Sequence, residues 1–115
     1  MSIARLRNHF RTTYNLREEQ IELMIQSSRK SMEKILSDAE AALQAEDPLV
    51  RLRNVGHSLK GLLLNMGEQQ WAEMARELEL SAKTGEQRDY LAFITVLSQG
   101  MAAVMAYGDE AGQRQ

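Results

Sequence analysis

From His57 to Gly67 the chain reads HSLKGLLLNMG, a helix-forming stretch that carries a histidine, a lysine and two glycines among leucines and a methionine. A neutral imidazole offers a nitrogen lone pair as a nucleophile. Glycine costs a helix interior about 1 kcal/mol relative to alanine, so a mid-helix glycine needs a reason. On a helix, residues three, four and seven positions apart share a face. His57 therefore shares its stripe with Arg53, Lys60, Gly61 and Leu64. Leu52, Val55, Gly56, Leu59, Leu63 and Met66 fall on another face and make the core stripe.

Each of these residues alone is ordinary. A surface histidine is usually solvated, and His9, with no glycine or ordered pattern around it, reads that way. Together they fit one chemistry. Gly61 removes the side chain one turn from the imidazole, so another macromolecule could approach the ring. Lys60 puts a positive charge within reach of a phosphoryl group carried on it. Between Pro48 and Gly67 the charged residues are Arg51, Arg53 and Lys60, with no acid, although the whole chain carries a net charge of -2. A local positive patch of this kind suits an anion or an acidic partner.

A helix on either side of Gly67 would run antiparallel, and residues equally far from the turn would lie level. His57 is ten residues before Gly67, and Glu77 to Glu79 are ten to twelve after it. A carboxylate accepting from one ring nitrogen would fix the tautomer and free the other nitrogen. Glu79 is the candidate orienter, against the plain alternative of a solvated surface glutamate.

Helices must position these residues. The chain has 115 residues, one proline, seven glycines and no cysteine. This is the length of one domain, 1–115, and it excludes disulfides and thiolate metal sites. No hairpin signal or β-branched alternation is present. No apolar run could span a bilayer, and the N-terminus has no signal-peptide pattern. A mildly acidic chain argues against a dedicated nucleic-acid binder.

Apolar periodicity predicts a first helix over Ser2 to Tyr14, with Ile3, Leu6, Phe10 and Tyr14 inward. Asn15 and Glu18 form a capping-box pattern that starts a second helix, reaching Glu46. Its inward residues are Ile21, Met24, Ile25, Met32, Ile35, Ala39 and Leu43, and Ser28 and Ser31 interrupt that stripe. Asp47-Pro48 suits an N-cap and first helical position, opening a third helix to Met66. Gly67 ends it in the left-handed conformation. A fourth helix covers Glu68 to Lys83, with Trp71, Ala75, Leu78 and Ala82 inward. Thr84-Gly85 stops it, and a last helix runs from Gln87 to Tyr107, with Tyr90, Ile94, Leu97, Met101 and Val104 inward. The tail after Gly108 is polar and expected to fray. The expected fold is an all-α, antiparallel up-down four-helix bundle with a short extra N-terminal helix.

His57-Ser58-Leu59-Lys60-Gly61, with Gly67 ten residues past the histidine, resembles the signature of histidine phosphotransfer (HPt) domains of bacterial two-component phosphorelays. The likeness extends from Asp47 through the Leu78-Glu79 pair, and the remaining helices fit it. The resemblance implies that His57 accepts a phosphoryl group from a receiver-domain aspartyl phosphate and passes it to another receiver. Lys60 then supports the phosphoryl charge, Gly61 leaves room at the ring, Gly67 forms the turn, and Glu79 orients the histidine. Arg53 and Leu64 are expected to dock the receiver.

Such a protein is a phosphocarrier without a kinase or ATP site of its own. It needs no cofactor, with magnesium expected on the partner receiver. Its expected partners are response-regulator receiver domains and a hybrid sensor histidine kinase, with neither nucleic acid nor membrane among them. A cytoplasmic monomer is expected, and the initial methionine favours a free-standing protein. Gly56, where alanine is more usual, the Leu62-Leu63-Leu64 run and Trp71 depart from the common pattern and bear on partner choice. The alternative is a helical adaptor or kinase-binding regulatory module with no phosphate chemistry. A metal-binding bundle is weaker, because neither His9 nor His57 has a glutamate three residues before it.

Overall fold

The computed structural model describes residues 1–108, and these form six helices with no strand among them. The expected fraying of the tail falls outside the described residues. The helices are α1 (Ile3–Tyr14), α2 (Glu18–Leu43), α3 (Pro48–Asn65), α4 (Gln69–Thr84), α5 (Tyr90–Gly100) and α6 (Ala102–Met105). None is long and apolar enough to cross a membrane.

The core follows the periodic stripes closely. Leu6, Phe10, Ile21, Ile25, Met32, Leu52, Leu59, Leu63, Met66, Leu78, Leu97 and Met101 are almost fully buried. The α3 stripe is inward as expected, Val55 and Gly56 included. The most extensive packing is of α3 on α4, then of α3 on α2. The short turn at Gly67 makes α3 and α4 antiparallel, and Gly56 of α3 meets Ala75 and Glu79 of α4. Arg88, just before α5, contacts Glu77 and Ser81, while Gly100 at its end lies against Trp71. So α5 runs opposite to α4. Arg29 Nε donates to the Met105 carbonyl at 3.0 Å, tying α6 to α2.

Several boundaries and orientations differ from expectation. Asn15 does not cap α2. It closes α1 in the left-handed conformation (φ 53°), which asparagine tolerates better than most residues. Instead the Gln20 side-chain oxygen accepts from the Arg17 backbone N–H at 2.9 Å, so α2 starts at Glu18 and ends at Leu43, short of Glu46. Asp47 precedes Pro48 but caps nothing with its side chain, which accepts from Arg51 Nε at 3.0 Å. Met24 and Tyr14 are exposed, and Ile35, Leu43, Trp71 and Tyr90 are half-buried. Ser28 is buried, whereas Ser31 faces solvent. The last helix starts at Tyr90, capped by the Asp89 carboxylate, and breaks at Gly100-Met101. A side chain at position 100 would collide with the Trp71 ring.

The segment α1 closes the α3–α4 turn. His9 is half-buried and not the free surface histidine of the sequence reading. Its Nε2 lies 3.0 Å from the Asn65 carbonyl, which can only accept, so Nε2 carries the proton and Nδ1 accepts from Thr13 Oγ1 at 3.2 Å. The Tyr14 hydroxyl donates to the same carbonyl at 3.3 Å. These bonds satisfy one of the carbonyls that a helix C-terminus leaves unpaired. Gly67 has φ +74°, and a Cβ there would also strike the His9 ring. Arg5 reaches the buried Glu68 carboxylate at 3.0 Å. Arg7, Glu22 and Tyr107 join α1, α2 and the segment after α6 in one hydrogen-bonded cluster.

Candidate functional site

His57 sits near the middle of α3 on its outward face, and 72% of its side chain is accessible. The core stripe opposite, from Leu52 to Met66, fixes the helix rotation and turns the ring outward. The charged residues of α3 are all cations, so no carboxylate of its own helix can hold the ring. The partner comes from α4, where Glu79 Oε2 lies 3.4 Å from His57 Nδ1. The same oxygen is 3.2 Å from Lys60 Nζ. Oε2 is buried and makes no aligned hydrogen bond; its contact with Lys60 is an ion pair, and its contact with His57 is one only when the ring is protonated. Partial burial pushes the Glu79 carboxyl up. The Lys60 ammonium and the His57 ring outweigh that and hold it below the usual carboxylate range.

A carboxylate facing Nδ1 favours the tautomer with its proton there, leaving the Nε2 lone pair available. Lys60 is half-buried. A side chain at Gly61 would meet nothing within 4 Å, so the space one turn from the ring is open. Leu64, the next residue along that stripe, is 52% exposed.

The basic patch is smaller than the sequence implied. Arg51 pairs with Asp47 at 3.0 Å and Lys60 with Glu79, acids from outside the α3 segment. Arg53, exposed on the His57 stripe, has no ionic partner among the described residues. No group of three or more metal-ligating side chains occurs among the described residues.

The structure thus brings His57, Lys60 and Glu79 together and strings Arg53, Gly61 and Leu64 along the same face. Gly67 lies apart, at the turn. The sequence reading missed the part of Gly56. A Cβ at position 56 would lie 2.7 Å from the Glu79 amide nitrogen, 2.9 Å from the Ala75 carbonyl oxygen and 3.0 Å from Glu79 Cα. The two backbones touch at the level of the site. A glycine on a core stripe is the available signal for such a close helix approach.

No curated protein and no solved structure gives a significant match to the chain. The family model of the Hpt domain matches residues 23–107, which takes in all of α3 and α4 and leaves out α1. Domains of this family act in histidine phosphotransfer within phosphorelays as carriers, not kinases, and interact with response-regulator receiver domains. With that match over most of its length, and with an outward histidine at the H-x-x-K-G position, the chain belongs to the Hpt domain family.

Proposed function

We propose that this chain is a phosphocarrier in which Nε2 of His57 takes a phosphoryl group from a receiver-domain aspartyl phosphate and hands it to a second receiver. The bond between phosphorus and the aspartate oxygen breaks, the P–N bond forms, and the aspartate leaves as a carboxylate. The second transfer reverses this on another aspartate. The transition state of phosphoryl transfer is loose, so positioning and charge stabilisation do most of the work.

The ring keeps its proton on Nδ1, where the Glu79 carboxylate faces it and orients the ring. Lys60 divides its charge between Glu79 and the incoming phosphoryl oxygens. Gly61 leaves room for the partner's active-site loops, and Arg53 and Leu64 lie on the docking face. The chain supplies no cofactor, and the receiver brings magnesium. It acts as a monomer in the cytoplasm. Helices α2, α3, α4 and the α5–α6 pair make up the four members of an up-down bundle, a reading supported by the antiparallel pairing of α3 with α4 and of α4 with α5. Helix α1 is the extra N-terminal helix.

The observation that carries this reading is the His57 ring itself, largely exposed yet with Nδ1 3.4 Å from a carboxylate held ionised by Lys60. The test is label transfer from phosphorylated receivers of the same organism. Acid-labile label should appear on the protein and be absent from His57→Gln. Receiver binding with no label on either protein would support the adaptor alternative instead.

A further inference from the structure

The contact that orients His57 crosses between two helices, so its length depends on how closely those helices pack. In α3 the residue beside the histidine is Gly56, and it abuts the backbone of Glu79, the residue that supplies the carboxylate. The nearest atoms to a Cβ at position 56 are an amide nitrogen, a carbonyl oxygen and a Cα, at 2.7, 2.9 and 3.0 Å. Backbone atoms of a packed helix cannot swing aside as a side-chain tip can. An added methyl there must push α4 away from α3 at the level of the site.

The consequence is local because of where Glu79 sits. Its Oε2 contacts both His57 Nδ1 and Lys60 Nζ, at 3.4 and 3.2 Å, and has no aligned hydrogen bond to anchor it. A shift of α4 by a few tenths of an ångström passes directly into both distances. Gly61, one turn on, faces open space and has no such neighbour. The two helix glycines therefore have different tasks, one outside the bundle and one within it. Intrinsic propensity argues against glycine at position 56, since alanine is the better helix former. Only the close approach to α4 explains it.

We propose that Gly56 is a positioning residue that sets the α3–α4 spacing and so holds the Glu79 carboxylate against His57 Nδ1 and Lys60 Nζ. This rests on the phosphocarrier reading for its effect on transfer, but not for its effect on the carboxylate.

The experiment compares Gly56→Ala with the parent protein by two readouts. The first is the titration of the Glu79 carboxyl, followed by ¹³C NMR. In the parent it should titrate below the usual carboxylate range, and in Gly56→Ala it should move up toward that range as Lys60 and His57 recede. The second is phosphoryl transfer from a labelled receiver. Gly56→Ala should be roughly three- to tenfold slower, in line with the sensitivity of transfer to small misplacements. In a Glu79→Ala background the same glycine change should add nothing further.

An unshifted Glu79 titration in folded Gly56→Ala overturns the proposal, whatever the transfer rates. So does an equal, additive loss in the Glu79→Ala background. If Gly56→Ala does not fold, the parent's Glu79 titration decides, and a carboxyl titrating at or above the usual carboxylate range shows that nothing holds it against His57 and Lys60 and overturns the proposal. Failure of the parent itself to accept phosphate would overturn the phosphocarrier reading while leaving the titration result standing.

Discussion

The two histidines should separate folding from chemistry when each is removed. In His9→Ala, α1 loses the Nε2 bond to the Asn65 carbonyl, the Thr13 contact and the ring packed over Gly67. A net hydrogen bond is worth about 1 kcal/mol. The half-buried ring adds about 1 kcal/mol of lost apolar burial. Alanine returns roughly 0.5 kcal/mol of helix propensity. The Tyr14 hydroxyl, 3.3 Å from the same carbonyl, keeps that acceptor from being wholly stranded. A net loss of about 1.5 kcal/mol corresponds to a fall in Tm of roughly 6–10 °C for a domain of this size. His57→Gln removes a ring that is 72% exposed and makes one long contact, so its Tm should stay within about 2–3 °C of the parent. Thermal melts by circular dichroism give the first half of the comparison. Label transfer from a phosphorylated receiver, measured well below either melting temperature, gives the second. His9→Ala should accept phosphate and His57→Gln should not. An unchanged melt for His9→Ala would refute α1 as a clamp on the turn, and label on folded His57→Gln would refute the acceptor assignment.

Gly61→Ala and Gly61→Gln should fold as well as the parent or better, because the space above Gly61 is empty, yet transfer should slow as the side chain grows; equal rates across the series would dispose of the access argument. Leu64→Asp should lower the Tm by no more than about 3–6 °C, since about half of that side chain is already in water and its buried half is worth about 0.8–1.5 kcal/mol. With that exposed half to bury at an interface, worth about 0.8–1.5 kcal/mol, receiver affinity measured by calorimetry should drop roughly four- to tenfold. A large fall in Tm, or no change in affinity, would count against docking. Glu79 titrates below its ordinary value in the folded protein, so its contribution to stability is present above the unfolded-state value and is lost as pH falls through the folded-state one. The stability gap between the parent and Glu79→Gln, measured in urea at several pH values, should therefore be full near neutrality and close below about pH 4. A gap that widens on acidification would mean the carboxylate is not held by Lys60 and His57.

Helical periodicity is a local property, and the sequence by itself determined what depends on it. The core stripe of α3 from Leu52 to Met66 forces His57, Lys60, Gly61 and Leu64 to the other side, since all ride on one rigid helix. The left-handed turn at Gly67 was legible because few other residues adopt it cheaply. Counting residues to either side of that turn placed Glu77 to Glu79 level with His57, and the family resemblance singled out Glu79. Asn15 and Glu18 were misread as a capping pair because several polar residues near a helix end can cap it, and tertiary contacts choose among them.

Only the tertiary structure decided the distances across helices. The 3.4 Å contact of Glu79 with the ring, the packing of Gly56 on its backbone and the clamp of His9 on Asn65 each join residues from different helices. Met24 lies exposed and Phe93 buried, although the sequence marked only Met24 as inward. The break at Gly100 sits under an indole from α4. The physical reason is common to all of them. A stripe says which way a helix faces, but the spacing between two helices is set by the summed bulk of the side chains that meet there, and that sum exists only once the chain has folded.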